Sequence, residues 1–311
     1  MDYLYLFLGF IILLYSGDLL VKGGVALSSH FRISTLVVGV TVVSFGTSAP
    51  ELFVSLDAAL SGSPDISIGN VVGSNISNIA LVLGFTAILL PLPVRSNSIK
   101  YDWPVMMGAS LLFYVFILNH KLETYEGIIF IILLISFMVW TIWNSRRENR
   151  GLSEEFPEAK HSIPIAVLLL VASSVGLYFG ANLLVDSAKN IAIEFGVSER
   201  VIGLTIVAFG TSVPELATSA VAAFKKEMDI SIGNIIGSNI FNIFGVLGVT
   251  SIVKNIRITE AIISFDVLIM LAISVLLFLL ILPLKKGKLQ RWKGILLLSS
   301  YFIYVYLVFM K

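Results

Sequence analysis

FGTSAPEL, residues 45–52, returns as FGTSVPEL at 209–216, and GNVVGSN at 69–75 returns as GNIIGSN at 233–239. Both pairs lie 164 positions apart, and residues 41–84 aligned without a gap on 205–248 agree at 27 of 44 places. An internal repeat of this length sets the frame for every other reading of the chain. The repeated residues are also polar ones set in apolar surroundings. A chain that duplicates such residues duplicates a site.

Those surroundings extend over the whole chain. Of its 311 residues 57% are hydrophobic and 13% charged, where soluble domains carry about 25% charged residues. Mean hydropathy is +0.95. Ten stretches have the apolar length that a bilayer requires: 3–21, 35–60, 66–90, 103–119, 125–144, 163–190, 199–223, 229–253, 259–282 and 292–310. The first lacks a basic start and a cleavage site, so it reads as a retained span and not a signal peptide. The absence of cysteine excludes disulfides and thiolate metal sites. A net charge of +1 gives no sign of nucleic-acid binding.

The charged stretch NSRRENRGLSEEFPEAKH, 144–161, divides the spans into two sets of five. The expected organisation is a first five-helix repeat at 1–143, a cytoplasmic linker at 144–161 and a second repeat at 162–311. An odd number of spans per repeat requires the two copies to face opposite ways. The fold class predicted is therefore an all-α integral membrane protein of ten transmembrane helices, in two inverted five-helix repeats with broken helices two, three, seven and eight. With both termini outside, 15 of the 21 basic residues fall in interior segments and 6 in exterior ones, the distribution that positive-inside topology favours. Inverted repeats with interrupted helices are the architecture of secondary transporters, whose site lies near the midplane.

Glu51 and Glu215 are the acidic residues well inside spans two and seven. A carboxylate at bilayer depth needs a partner or a cavity. Ser44, Thr47, Ser48, Glu51 and Ser55 share one helical face, matched by Ala208, Thr211, Ser212, Glu215 and Ser219. A lone membrane serine ordinarily bonds its own backbone; a stripe centred on a buried glutamate and present twice calls for more. Pro50 and Pro214 precede the glutamates and release the carbonyls of Gly46 and Gly210 from helical bonding. On spans three and eight, Asn70, Ser74 and Asn78 form a second stripe, matched by Asn234, Ser238 and Asn242. Gly69, Gly73, Gly233 and Gly237 flank it at the spacing that lets helices approach closely.

Such a site offers carboxylate, hydroxyl, amide and carbonyl oxygen without sulfur or histidine. His30, His120 and His161 lie outside the repeated motifs. Hard cations take all-oxygen shells, whereas zinc and copper favour nitrogen and sulfur. Two carboxylates match one divalent ion or several monovalent ones. Mutually exclusive occupancy is the logic of an antiporter.

GVTVVSFGTSAPE with SIGNVVGSNISNI, and GLTIVAFGTSVPE with SIGNIIGSNIFNI, resemble the signature regions of the calcium/cation antiporter superfamily, in particular the prokaryotic type of sodium/calcium exchanger. The resemblance, with the ten-span layout, covers nearly the whole chain. It implies cation sites between spans two, three, seven and eight. Glu51 and Glu215 would be the shared carboxylates. Thr47, Thr211, Ser48 and Ser212 would supply hydroxyl and carbonyl oxygens. Ser74 and Ser238 would serve Na⁺, as would the backbone carbonyls of Ser44 and Ala208, with Asn78 and Asn242 at the centre. The implied function is electrogenic exchange of Na⁺ for Ca²⁺ by alternating access in the cell membrane. Na⁺ and Ca²⁺ would be cargo, with no cofactor, and the bilayer the surroundings; no obligatory protein partner is implied. Some relatives, the potassium-dependent exchangers among them, carry Asp where this chain has Asn242, so its centre predicts K⁺ independence. Spans three and eight also lack the acid typical of the proton-coupled branch. Residues 144–161 are too few for the regulatory calcium-binding domains of eukaryotic exchangers.

The alternatives are a Ca²⁺ exchanger coupled to H⁺ or K⁺ and a cation channel with the glutamates as filter, which a midplane site between inverted repeats disfavours. An enzyme is not expected: a hydrolase with Ser48 or Ser212 as nucleophile needs an oriented base, and the motifs hold no His or Lys. Asp65 and Asp229 are expected at the starts of spans three and eight as helix caps. Asp18 and Asn182 align between the repeats and are expected to hydrogen-bond across helices one and six.

Overall fold

Apolar residues surrounded by lipid must satisfy their backbone groups within the segment, which makes helices of nearly the whole chain. The computed structural model describes residues 1–94, 98–149, 159–196, 208–282 and 287–310. Its main helices are α1 (Asp2–Phe31), α2 (Thr35–Leu60), α3 (Pro64–Leu89), α4 (Lys100–Asn119), α5 (Thr124–Asn149), α6 (Ile163–Glu194), α7 (Val213–Phe224), α8 (Met228–Val253), α9 (Ile262–Ile281) and α10 (Arg291–Met310). Among the described residues nine are long and apolar enough to cross a membrane; α7, with 12 described residues, is the shorter one. The seventh expected span, 199–223, falls outside the described residues from 199 to 207, as does 150–158 of the expected linker. α5 continues through 144–149, a charged extension of the apolar span.

Burial sorts these helices into a centre and a periphery. The spanning windows of α3 and α8 are 83% and 89% buried, and that of α2 67%, against 11–39% for the other spanning helices. The polar stripes thus lie on the helices most sheltered from lipid. Phe7, Phe53, Val139, Trp143, Leu168, Phe179 and Phe302 are exposed at the outside, as lipid-facing side chains are.

α2, α3 and α8 each carry a π-helical segment: Gly39–Val43, Asn78–Leu83 and Asn242–Leu247. The latter two begin on the repeated asparagines, 164 residues apart. A π segment inserts one residue into the helical ladder and re-aims the side chains around it, which is why such segments gather at functional sites. Before α7, the described helical residues Ala208–Gly210 give way to a turn at Thr211 and Ser212, where Ser212 has φ −90° and ψ 0°.

α1 and α6 pack antiparallel along a seam of small residues. Gly9 faces Gly180 and Leu184, Ser16 faces Gly176, and Gly23 faces Ala166 and Leu170. These pairings put the crossing at Leu14 and Tyr178, themselves 164 apart. Asp18 therefore does not meet Asn182. Each lies four residues beyond the crossing in opposite directions, a separation of about 12 Å at the helical rise. Asp18 instead holds Lys22 at 2.7 Å and Lys225 beyond the end of α7. Asp65 and Asp229 stand in the first turns of α3 and α8, though the cap positions before them are Ser63 and Glu227.

Short antiparallel ladders tie the connections together. β1 (Leu92–Pro93) pairs with β4 (Lys288–Leu289), and β2 (Lys121–Leu122) with β3 (Ile256–Arg257). His30 donates to the carbonyl of His161 at 2.7 Å, joining the end of α1 to the segment before α6.

Candidate functional site

Glu51 on α2 and Glu215 on α7 are both 0% exposed. Pro50 lies within α2, whereas Pro214 opens α7 in its first turn, where its missing N–H is not needed. The two copies thus hold their glutamates by different local means: a helix continuing through its proline, and a helix beginning there.

Around Glu215 the stripes from both repeats converge. Ser48 donates to Glu215 Oε1 at 3.2 Å and Ser238 to the same oxygen at 3.4 Å. Thr47 donates to Asn234 Oδ1 at 3.0 Å and lies 3.3 Å from Ser238 Oγ. Asn234 in turn donates to Ser219 at 3.0 Å. The corresponding bond on the other side joins Asn70 to Ser55 at 2.9 Å, and Asn70 also reaches the backbone oxygen of Glu51 at 3.3 Å. Ser74 and Thr211 hydroxyls meet at 3.4 Å.

Of the predicted residues, Glu51, Glu215, Thr47, Ser48, Ser212, Ser238, Asn78 and Asn242 are buried together where α2, α3, α7 and α8 meet, with Ser74 and Thr211 beside them. Ser44 is buried with its hydroxyl turned onto the Val40 carbonyl at 2.6 Å, while its own carbonyl lies 3.2 Å from Thr47 Oγ1. Ala208 lies in the helical residues that precede the turn before α7. Asn70 and Asn234 brace the neighbouring serines.

The electrostatics of the cluster lie in what is left over. Glu51 Oε1 and Oε2, Glu215 Oε2, Asn78 Oδ1, Asn242 Oδ1 and Ser212 Oγ are buried with no hydrogen-bond partner. Buried polar atoms are ordinarily paired, because leaving one unpaired costs about 1–3 kcal/mol. Five of these six oxygens can only accept while the glutamates are ionised. No Lys, Arg or His is bonded to them, and no group of three or more His, Cys, Asp or Glu occurs among the described residues. The arrangement is a concentration of oxygen acceptors whose natural complement is a hard cation.

Two residues here were not singled out from the sequence. Asn75 and Asn239, on α3 and α8, donate to each other's backbone carbonyls, each at 3.4 Å. Their side-chain oxygens accept from Asn242 and Asn78, each at 3.1 Å. Both stand inside the repeated GNVVGSN and GNIIGSN motifs, which was the available signal.

The model of the family described as sodium/calcium exchanger protein matches residues 1–143 and 165–310. The chain belongs to this family. It is 39% identical over 314 residues to the putative antiporter CaxA of Alkalimonas amylolytica, covering 98% of each chain. It is 31% identical to the sodium/calcium exchanger MaX1 of Methanosarcina acetivorans, covering 99% of this chain and 98% of that one. The solved structure of the sodium-calcium exchanger NCX_Mj superimposes with a TM-score of 0.82 at 36% identity, covering 98% of this chain and 97% of that one. A Ca²⁺/H⁺ antiporter of Bacillus subtilis, ChaA, matches at 25% identity over 221 residues. The chain is thus a multi-pass membrane protein of an exchanger family.

Proposed function

We propose that this protein exchanges Na⁺ for Ca²⁺ across the cell membrane by alternating access, electrogenically and without K⁺. The observation that carries the reading is the set of unpartnered buried oxygens on Glu51, Glu215, Asn78, Asn242 and Ser212. Two ionised carboxylates supply two negative charges, which one Ca²⁺ neutralises. Na⁺ ions occupying the same oxygens exclude Ca²⁺, and each ion displaces the other. Thr47, Thr211, Ser48, Ser74 and Ser238, with the carbonyls of Ser44 and Ala208, complete the ligand set. With Asn at 242 the centre holds two formal charges, insufficient for an additional K⁺.

The two halves, 1–143 and 162–311 about the cytoplasmic linker 144–161, act as inverted repeats with both termini outside. The antiparallel seam of α1 and α6 supports this, as do the reciprocal bonds of Asn75 and Asn239. The π segments and the turn at Thr211–Ser212 serve as the interruptions of helices two, three, seven and eight. The smooth Gly-rich seam suits α1 and α6 to move as a pair against the core.

The test is uptake of ⁴⁵Ca²⁺ into Na⁺-loaded proteoliposomes diluted into Na⁺-free buffer. Uptake that needs internal Na⁺, is insensitive to K⁺ and is lost in Glu51→Gln is expected. Uptake driven by a pH gradient in the absence of Na⁺ would replace Na⁺ by H⁺ as the coupling ion.

A further inference from the structure

The amide oxygens of Asn78 and Asn242 have no partner, and what keeps their oxygen ends, not their NH₂ ends, free is not either residue itself. An asparagine amide is nearly symmetric in shape, and its orientation is set by what its two ends bond. The Nδ2 of Asn239 donates to the backbone carbonyl of Asn75 at 3.4 Å. A carbonyl only accepts, so this bond fixes which end of Asn239 faces the Asn75 main chain. Met106 Sδ, at 3.5 Å from the same nitrogen, is a weak acceptor and agrees with that orientation. The Oδ1 of Asn239 is thereby turned to accept from Asn78 Nδ2 at 3.1 Å. With its NH₂ held, Asn78 has only its oxygen left, and that oxygen is buried without a partner.

The same three links run the other way. Asn75 donates to the Asn239 carbonyl at 3.4 Å, with Met270 Sδ at 3.7 Å. Asn75 Oδ1 accepts from Asn242 Nδ2 at 3.1 Å, and Asn242 Oδ1 is unpartnered. Met106 and Met270, like the asparagines, are 164 apart. Each link has its counterpart, and the crossing of α3 and α8 is where a residue meets its own repeat.

We infer that Asn75 and Asn239 are positioning residues, anchored on each other's main chain, that lock the Asn242 and Asn78 amides with their oxygens presented to the transported cation. This rests on the cation-exchange reading above. A carboxylate has oxygen at both ends and needs no such lock. An Asp at 242 therefore makes Asn75 dispensable for orientation, and an Asp at 78 does the same for Asn239. The dependence is crossed: Asn75 acts on the residue of the other repeat, not on its helix neighbour Asn78.

The experiment is Na⁺-driven ⁴⁵Ca²⁺ uptake at varied Ca²⁺, giving KM and maximal rate separately. Wild type and Glu51→Gln are run alongside to establish the exchange reading independently. Asn75→Ala is expected to raise the KM for Ca²⁺ by roughly tenfold to a hundredfold, as an amide free to turn its NH₂ toward the ion loses a ligand. Asn75→Ala with Asn242→Asp is expected to recover Ca²⁺ affinity, whereas Asn75→Ala with Asn78→Asp, of identical charge, is not. Asn239→Ala should show the mirror pattern, recovered by Asn78→Asp alone. Asn75→Leu, close to asparagine in shape, repeats the measurement where the alanine variant does not yield monodisperse protein. Equal recovery by the two aspartates, or an unchanged KM in Asn75→Ala and Asn75→Leu, would overturn the inference while leaving Na⁺/Ca²⁺ exchange in place. Loss of wild-type exchange would instead refute the function on which it rests.

Discussion

Gly237→Ala probes the contact on which the geometry of the site depends. Gly237 lies on α8 against the π segment of α2. A methyl group placed on it would meet the carbonyl oxygen of Val40, lie 2.6 Å from Val40 Cα and 2.8 Å from Ser44 Oγ. Carbon contacts are favourable at about 3.5–4.0 Å, so α8 must retreat by on the order of 1 Å from backbone atoms that cannot rotate away. Overpacking of this kind costs about 1–3 kcal/mol. The retreat would also stretch the contacts across the same interface, Thr47 to Asn234 at 3.0 Å and Thr47 to Ser238 at 3.3 Å. The expected result is a lower midpoint in thermal denaturation of the purified protein, together with weaker Na⁺-driven Ca²⁺ uptake. Gly108→Ala, where the added carbon meets no described atom within 4 Å, is the control and should behave as wild type. A Gly237→Ala protein as stable and as active as Gly108→Ala would refute the close approach of α2 and α8.

Further outcomes are expected. Glu215→Gln and Glu51→Gln should each lower Na⁺-driven uptake by roughly a hundredfold or more, since removing one charge from a desolvated cluster costs about 3–5 kcal/mol; flux retained in both would remove them from the site. Asp18→Asn should change thermal stability by no more than about 1 kcal/mol, because the ion pairs it loses are partly solvated; a larger loss would show that the pairs hold α1 to α7. Burial, with Asp229 nearby, raises the Glu227 carboxyl above its usual range. The folded state then binds more protons than the unfolded one between the two values, so this group's contribution to stability falls as pH rises through that window. Glu227→Gln should accordingly be more stable than wild type at pH 8, with the difference vanishing near pH 4 in denaturation scans. A variant less stable at pH 8 would contradict that sign.

Much of the architecture is legible in the sequence because the repeat and the lipid environment act together. Spans are read from apolar length, and the residues that matter from polarity repeated at a fixed offset. Glu51, Glu215, Thr47, Ser48, Asn78 and Asn242 all stand out by this signal, and the structure brings them together. What is illegible is which repeated residues meet. In an antiparallel pair of helices, residues at equal positions coincide only at the crossing. Asn75 and Asn239 lie at the crossing of α3 and α8 and bond reciprocally, while Asp18 and Asn182 lie away from the crossing of α1 and α6 and do not touch. The offset says nothing about where a crossing falls; side-chain packing between the helices decides it. The π segments are similarly silent, since Asn78–Leu83 and Asn242–Leu247 read as ordinary apolar turns. Likewise the two proline–glutamate pairs are identical in sequence, yet one lies within a helix and the other at a helix start.

The central claim is that one cluster of buried oxygens holds either Ca²⁺ or Na⁺ but not both. Equilibrium binding of ⁴⁵Ca²⁺ to the purified protein, titrated with NaCl against choline chloride at constant ionic strength, tests it most directly. Complete displacement of Ca²⁺ by Na⁺, with binding abolished in Glu51→Gln, is the predicted result. Ca²⁺ binding that persists unchanged at saturating Na⁺ would contradict a shared site.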